Sequence, residues 1–504
     1  MEIVKLGSRL KLVGRLGKWL SFFQTDDYFE QNMKQNSRNN RVLFLIVLLT
    51  TACGIGVSYS APKSSAKSIT SFSVAGAAGT IDEKTITVDL TSLPLFARID
   101  ALVATFKTDG KAVAVGAKAQ VSGKTANDFT KPVIYTVTAA DGSKETYTVR
   151  VLVSKIISIS GYSDTLTVGS DGSLWGTGRN GDGQLGLGNT NSVSVPKQIL
   201  ASGVAAVSAG YYHTLIIKTD GSLWATGYNK SGQLGNGGTT SVSTPVQVMA
   251  DGVASVSAGV NFSLIVKTDG SLWVTGADAS GQLGNGTTSN VLAPVQIIES
   301  GVASVSAGQD HSLIVKTDGS LWAMGSNGHG QLGTGTTATA SLVPVQIVAG
   351  GVVSASAGRS HSLFVKTDGS LWGMGYNKFG QLGTGATTDV QSPVQILPSG
   401  VASVSAGGDH TLIHKTDGSL WATGYNKNGQ VGSGSKDDVV LVPTQILASG
   451  VAAVSGGLVH SVILKTDHSL WTTGYNNNGE LGNGSGSGVL KPVQIRRPSL
   501  SKDD

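Results

Sequence analysis

The sequence predicts an all-β protein in which a small β-sandwich precedes a seven-bladed β-propeller. Three observations predict it. Seven tryptophans, Trp175, Trp224, Trp273, Trp322, Trp372, Trp421 and Trp471, recur at intervals of 49 or 50 residues. Each closes the same short pattern of apolar and hydroxyl residues around an Asp-Gly turn, the mark of antiparallel strands; only Asp467-His468 has lost the glycine. Glycine supplies 69 of the 504 residues without a collagen-like period, so it serves turns.

In chain order, the first element is a leader, residues 1–52. It holds eight Lys/Arg and four Asp/Glu, which is +4 of the total net charge of +5. The remainder is close to neutral and has no Lys/Arg cluster, so the electrostatic footprint for nucleic acid is missing. From Met33 the leader has the order of a secretion signal: Lys34, Arg38 and Arg41, an apolar run at 42–49, then the small residues Thr50, Thr51 and Ala52. That run of eight is too short to span a bilayer, which needs about 20 residues. Residues 1–32 form an unusual front extension with Trp19 and Phe22. Translation therefore starts at Met33 or the leader is long, and the compact signal favours Met33.

Cys53, the single cysteine, has no partner for an intrachain disulfide. The segment Leu48-Leu49-Thr50-Thr51-Ala52-Cys53 resembles the lipobox of bacterial lipoproteins, with Thr50 where the usual leucine stands and Leu49 one place further away. The resemblance implies lipidation at Cys53 and a membrane anchor of two or more acyl chains, which holds where one chain does not. The expected location is the outer membrane or cell surface. An ordinary secretory signal with an incidental cysteine would leave the chain periplasmic or secreted.

Residues 53–67, rich in Ser, Ala and Lys, read as a flexible tether. In residues 68–154, short β-type runs follow at Phe72 and Val74, Ile86 to Leu90, Leu102 to Phe106, Val113 and Val115, Val133 to Val137, and Tyr147 to Val153. Asp141-Gly142 reads as the tight turn between the last two. Several short strands in so short a span argue for a sandwich. The pattern resembles the immunoglobulin-like or cadherin-like spacer modules of bacterial surface proteins.

Residues 155–496 carry the seven repeats, and 497–504 are a tail. One repeat has Val302-Ala-Ser-Val-Ser-Ala-Gly308, His311 to Trp322, Gly330-Gln-Leu-Gly-Thr-Gly335 and Pro344-Val-Gln-Ile347. The alternation of Ala303, Val305 and Ala307 with Ser304 and Ser306 has period two and predicts a half-buried strand. Four short strands fit each unit, Gly, Ser and Thr are too dense for helices, and radial repetition of such sheets makes a propeller. Closure by exchange of a strand between 155–157 and 492–495 and closure within the last unit both remain open.

Gly-Gln-Leu-Gly-x-Gly, Ala-Gly-x-x-His and Asp-Gly-x-x-Trp, recurring in fixed order over about 340 residues, resemble the regulator of chromosome condensation repeat. The resemblance implies a ring of seven blades. The family's eukaryotic founder exchanges guanine nucleotide on a nuclear GTPase through a protrusion in one blade, but the even Trp spacing leaves no room for a long insertion between Trp175 and Trp471. Some secreted bacterial members bind a protein on one face, including inhibitors of β-lactamases. The expected function is a monomeric, surface-anchored protein-binding platform with an unknown protein partner. An inhibitor or regulator of an enzyme is the alternative, and exchange activity is carried by analogy alone. No catalytic residue, cofactor or metal is expected.

Positions constant in all repeats serve the ring, and positions that vary are candidates for recognition. The tryptophans are therefore structural. So are His213, His311, His361, His410 and His460, whose equivalents elsewhere are Asp164 and Phe262; separate blades do not give zinc-ligand spacing. The candidate contacts are aromatic or charged loop residues. Tyr211, Tyr212, Gln309, Asp310, Arg359 and Asp409 precede the second strand of their units. Tyr228, Tyr376, Tyr425 and Tyr475, with Phe379, lie beside Gly-Gln-Leu-Gly.

Overall fold

A computed structural model describes residues 62–90, 99–153, 155–336, 338–435 and 437–495. The leader with Met33 and Cys53, most of the tether and the 497–504 tail lie outside the described residues.

The N-terminal module is a nine-stranded ladder curled around one core. Its long strands are Ile69–Val74, Ala77–Asp82, Thr85–Asp89, Leu102–Thr108, Val133–Thr138 and Lys144–Leu152. Phe72, Val74, Ile86, Val88, Tyr135 and Val149 alternate inward, and Phe72 meets the Tyr135 ring edge-on at 5.1 Å. Gly142 takes a φ of +89° in the turn before Lys144–Leu152. Ala77–Asp82 was not legible as a strand because it carries no strong apolar alternation. It packs through Gly79, where an added Cβ would sit 2.9 Å from the Ile86 side chain.

The propeller consists of seven four-stranded antiparallel sheets, each built from four consecutive strands. Blades 1 to 7 span 156–200, 204–249, 253–298, 302–348, 352–397, 401–447 and 451–494. In blade 4 the strands are Val302–Ala307, His311–Lys316, Leu321–Ser326 and Ala340–Val348. First strands of adjacent blades touch one another all round the ring, so they line the axis. Second strands are buried on both faces because a neighbouring blade covers each side. Seven apolar cores lie between the blades, one at each junction; Leu313, Leu321 and Leu332 of blade 4 meet Val352, Phe364 and Met374 of blade 5 in one of them.

The expected alternation in the first strand is only partly realised. A bulge between Val302 and Ser304 shifts the register, so Ala303 is exposed while Val302 and Ala307 are buried. The serines use the freed geometry. Ser306 Oγ accepts the amide of Ala357 on the next blade at 2.9 Å, and the same bond recurs at every junction, ending with Ser455 and the amide of Gly161 at 3.1 Å. Closure therefore needs no exchanged strand. Val489–Gln494 completes blade 7, and Ile156, Trp175, Val462, Leu464, Leu470 and Ile495 form the closing core.

The Asp-Gly hairpins explain the tryptophans. Asp318 accepts the amide of Ser320 at 2.8 Å and its hydroxyl at 2.6 Å, while Trp322 Nε1 donates to that hydroxyl at 2.9 Å. Lys316 Nζ lies 4.1 Å from the Trp322 ring centroid. His468 takes the missing glycine's place with a φ of +64°.

Candidate functional site

Antiparallel strands put the loop after the first strand and the loop after the third at the same end of every blade. A hydrogen bond joins the two loops in each unit: the amides of Tyr228, Tyr376, Tyr425 and Tyr475 donate to Tyr212, Ser360, Asp409 and Val459 at 2.8 to 2.9 Å. The two sets of candidate residues therefore share one face of the ring.

On that face the candidates fall into two clusters. On blades 1 and 2, Tyr211 and Tyr212 pack at 4.1 Å, and Tyr228 lies 5.6 Å from Tyr212. Arg179 stands 5.1 Å from the Tyr212 ring centroid and pairs with Asp182 at 3.1 Å. On blades 4 to 6, Arg359 reaches Asp409 at 3.4 Å and Gln309 at 3.1 Å, and Gln309 donates to Asp310 at 2.9 Å. Phe379 packs against Tyr425 at 4.7 Å and Tyr376 at 6.0 Å, and His329 against Tyr376 at 4.7 Å. Burial raises the Asp409 carboxyl above its ordinary range, and Arg359 opposes the shift. Tyr475 is half-buried on blade 7, and the structure brings it to neither cluster. Arg359 is exposed, whereas the other candidates are half-buried and rigidly backed.

Two residues that sequence reasoning missed complete the face. Arg179 holds in blade 1 the position that Tyr228, Tyr376, Tyr425 and Tyr475 hold in their units. Tyr162 meets the Tyr211 ring edge-on at 5.6 Å; burial raises its phenol, Arg359 opposes the shift, and Asp409 adds to it. A further set underlies the loops. Asn180, Asn229, Asn327, Asn377, Asn426 and Asn476 are buried and tie the loop after the third strand in six blades, with Asp278 in their place on blade 3. In blade 2, Asn229 accepts the Leu234 amide at 3.0 Å and donates to the Gly238 carbonyl at 2.9 Å. These asparagines were legible only as a constant spacing to Gly-Gln-Leu-Gly.

The histidines are fully buried between blades. His213 Nε2 lies 2.9 Å from Ser263 Oγ of the next blade, a distance that would suit a nucleophile and its base. The hydroxyl, however, donates its one proton to the Gln233 carbonyl at 2.7 Å. Nε2 must then carry the imidazole proton and donate to Ser263, so the ring cannot accept a proton from it. The same relay holds for His311 with Ser362, His361 with Thr411, His410 with Ser461 and His460 with Thr165. Burial lowers the imidazoles to about 3 for His213, His361 and His410 and about 4 for His311 and His460. Among the described residues, no group of three or more His, Cys, Asp or Glu is placed to hold a metal ion.

Comparison with known families matches an RCC1-like domain over residues 200–503, more than half of the chain. The chain belongs to the RCC1-like family. A regulator of chromosome condensation (RCC1) repeat matches at 171–217, and an "SGBP, N-terminal" model matches at 69–151, within the first module. A search of curated proteins found no match. Human WBSCR16 is 25% identical with a TM-score of 0.56, over 61% of this chain and 85% of its own. Yeast RCC1 (Prp20), solved bound to Kap60, is 22% identical with a TM-score of 0.58, over 64% and 83%. Prp20p of Saccharomyces cerevisiae, described with its binding to Gsp1p and histones, is 21% identical with a TM-score of 0.59, over 69% and 88%. These two yeast structures share the fold of this RCC1-like propeller.

Proposed function

We propose that this RCC1-like protein is a monomeric, surface-anchored protein-binding platform, held to the membrane by lipid on Cys53, and that it works by binding rather than by catalysis. The observation that carries the reading is the asymmetry of the loop face. The repeats impose seven equal positions, yet the aromatic and charged side chains gather on blades 1 and 2 and on blades 4 to 6, while blades 3 and 7 present Val260 and Leu458 at the inner loop and blade 7 adds only Tyr475 at the outer one. A ring alone has no use for that inequality. Tyrosines backed by neighbouring rings lose little entropy on binding, and the surrounding Ser, Gly and Asn offer adaptable hydrogen bonds, the composition that suits a protein partner. The buried histidine relays support the non-catalytic part, because each relay hydroxyl already donates its proton to a carbonyl and its imidazole donates to it rather than accepting from it.

The test is affinity capture from envelope and host extracts with the full chain. Tyr212→Ser combined with Arg359→Ala and Phe379→Ser should abolish the capture, while Thr219→Lys with Thr317→Lys on the opposite turns should leave it intact. Capture that survives the first variant would overturn the assignment of the face. If the captured partner is an enzyme whose rate falls on binding, the platform acts as an inhibitor. The anchor is tested separately: fatty-acid label should enter the wild type and vanish in Cys53→Ala, and an unlabelled wild type would remove the anchor from the reading.

A further inference from the structure

Six of the seven junctions carry at least part of the buried relay, and the junction between blades 1 and 2 carries none. Where five blades place histidine, blade 1 places Asp164, fully buried in the strand Asp164–Gly169. Both of its carboxyl oxygens are without a hydrogen-bond partner, and so is the hydroxyl of Thr214, which stands where the imidazole is received at the other junctions. Even the junction after Phe262 keeps half of the relay, since Ser312 donates to the Gln282 carbonyl at 2.7 Å. Asp164 is shorter than the imidazole it replaces, and the acid and the hydroxyl of this junction are both left without a hydrogen bond.

Among the described residues no cation pairs with this carboxyl, and the His460 imidazole of blade 7, which meets the Asp164 backbone, is committed to Thr165 at 3.0 Å. On its own blade Arg179 is paired with Asp182 at 3.1 Å. On blade 2, His213 turns its imidazole away to Ser263 of blade 3. From blade 7 comes Glu480, another acid, whose carboxylate accepts from the amide of Asn478 at 2.9 Å and adds repulsion. A buried carboxylate without a partner is far costlier than the neutral acid.

We propose that Asp164 makes the junction between blades 1 and 2 a proton-controlled joint of the ring, closed while the side chain is a neutral acid and loosened when it ionises. Burial raises this carboxyl well above its ordinary range; the backbone amides of Tyr162 and Asp164 oppose the shift and Glu480 adds to it. A raised folded value for an acid means that the closed junction holds the proton and the opened one releases it. The stabilisation is therefore complete below the ordinary carboxylate value and is lost as pH rises from there through the folded value. Within that window the opening equilibrium grows by up to about tenfold per pH unit. The histidine junctions respond in the opposite sense, so the ring has one joint that loosens on the alkaline side among five that loosen on the acid side.

Hydrogen exchange in the full chain tests the joint. The Ala209 amide, which donates to Ser160 across this junction at 2.9 Å, is followed against pH. The Ala307 amide, which donates to Ser257 at the junction of Phe262, is the reference, because that junction has no imidazole to titrate. After correction for intrinsic exchange, opening at Ala209 relative to Ala307 should rise severalfold per unit above pH 4 in the wild type. Asp164→Asn should flatten the profile, and Asp164→His should reverse its sign. A wild-type profile that is flat, or that Asp164→Asn reproduces, would overturn the proposal. Asp164→Asn alone decides the question if the histidine variant does not fold.

Discussion

At the residue scale, one set of propeller glycines is needed for closeness rather than for an unusual backbone. In Ala-Gly-x-x-His the glycine sits against the imidazole of its own blade and the carbonyl of the next. An added methyl at Gly308 would stand 2.6 Å from His311 Nδ1 and 2.6 Å from the Gly358 carbonyl oxygen. Neither neighbour can yield, because one is locked in the relay and the other is backbone. Gly308→Ala should therefore destabilise the fold by about 1–3 kcal/mol, read as a lower denaturant midpoint at unchanged slope. An unchanged midpoint would mean that the inner loops adjust freely. Sequence alone showed that this glycine recurs together with its histidine; it did not show that the two touch.

At the element scale, the unit of stability is the junction rather than the blade. Each apolar core draws on two blades, and the relay of imidazole, hydroxyl and carbonyl crosses the same gap. Phe262 shows which part of the relay matters most. An aromatic ring fills the space, and the hydroxyl of the next blade still reaches its carbonyl. His361→Phe should accordingly cost less than about 1.5 kcal/mol. His361→Ala, which empties the space beside Thr411, should cost about 3 kcal/mol. Equal losses in denaturant unfolding of the two variants would show that the hydrogen bond, and not the filling, holds the junction.

The same scale explains what was legible in the sequence. Seven Trp-centred units fixed the number of blades and the Asp-Gly hairpins within them, because a hairpin is a local structure with local turn chemistry. Strand Ala77–Asp82 escaped because it carries no strong apolar alternation, and the bulge at Ala303 because a register shift between two paired strands leaves no mark in the residue pattern. The candidate residues were legible as variable positions, but their gathering on one face follows from strand direction, and Tyr162 and Arg179 join them only through packing.

At the scale of the whole molecule, five buried neutral imidazoles tie the ring to pH. Their folded values, about 3 to 4, lie below the ordinary histidine value, so the unfolded chain binds more protons. Their stabilisation is complete above about pH 6.5 and is lost as pH falls through the folded values. Each contributes up to about 1.4 kcal/mol per pH unit in that window, and Asp164 opposes them by about one proton. Unfolding between pH 6 and 4 should take up about four protons, measured as the slope of stability against pH, and His361→Phe should remove one. A slope near zero would mean that the imidazoles are hydrated in the folded ring.

The central claim is that one face of this ring, and not the ring as such, meets a protein. A hydrogen-exchange footprint of the captured partner on the full chain tests it most directly. Protection is predicted at Tyr211 and Tyr212, at Gln309 and Asp310, at Arg359, and from Tyr376 to Phe379. Protection confined to the Asp-Gly turns, or to residues 69–152, would contradict it.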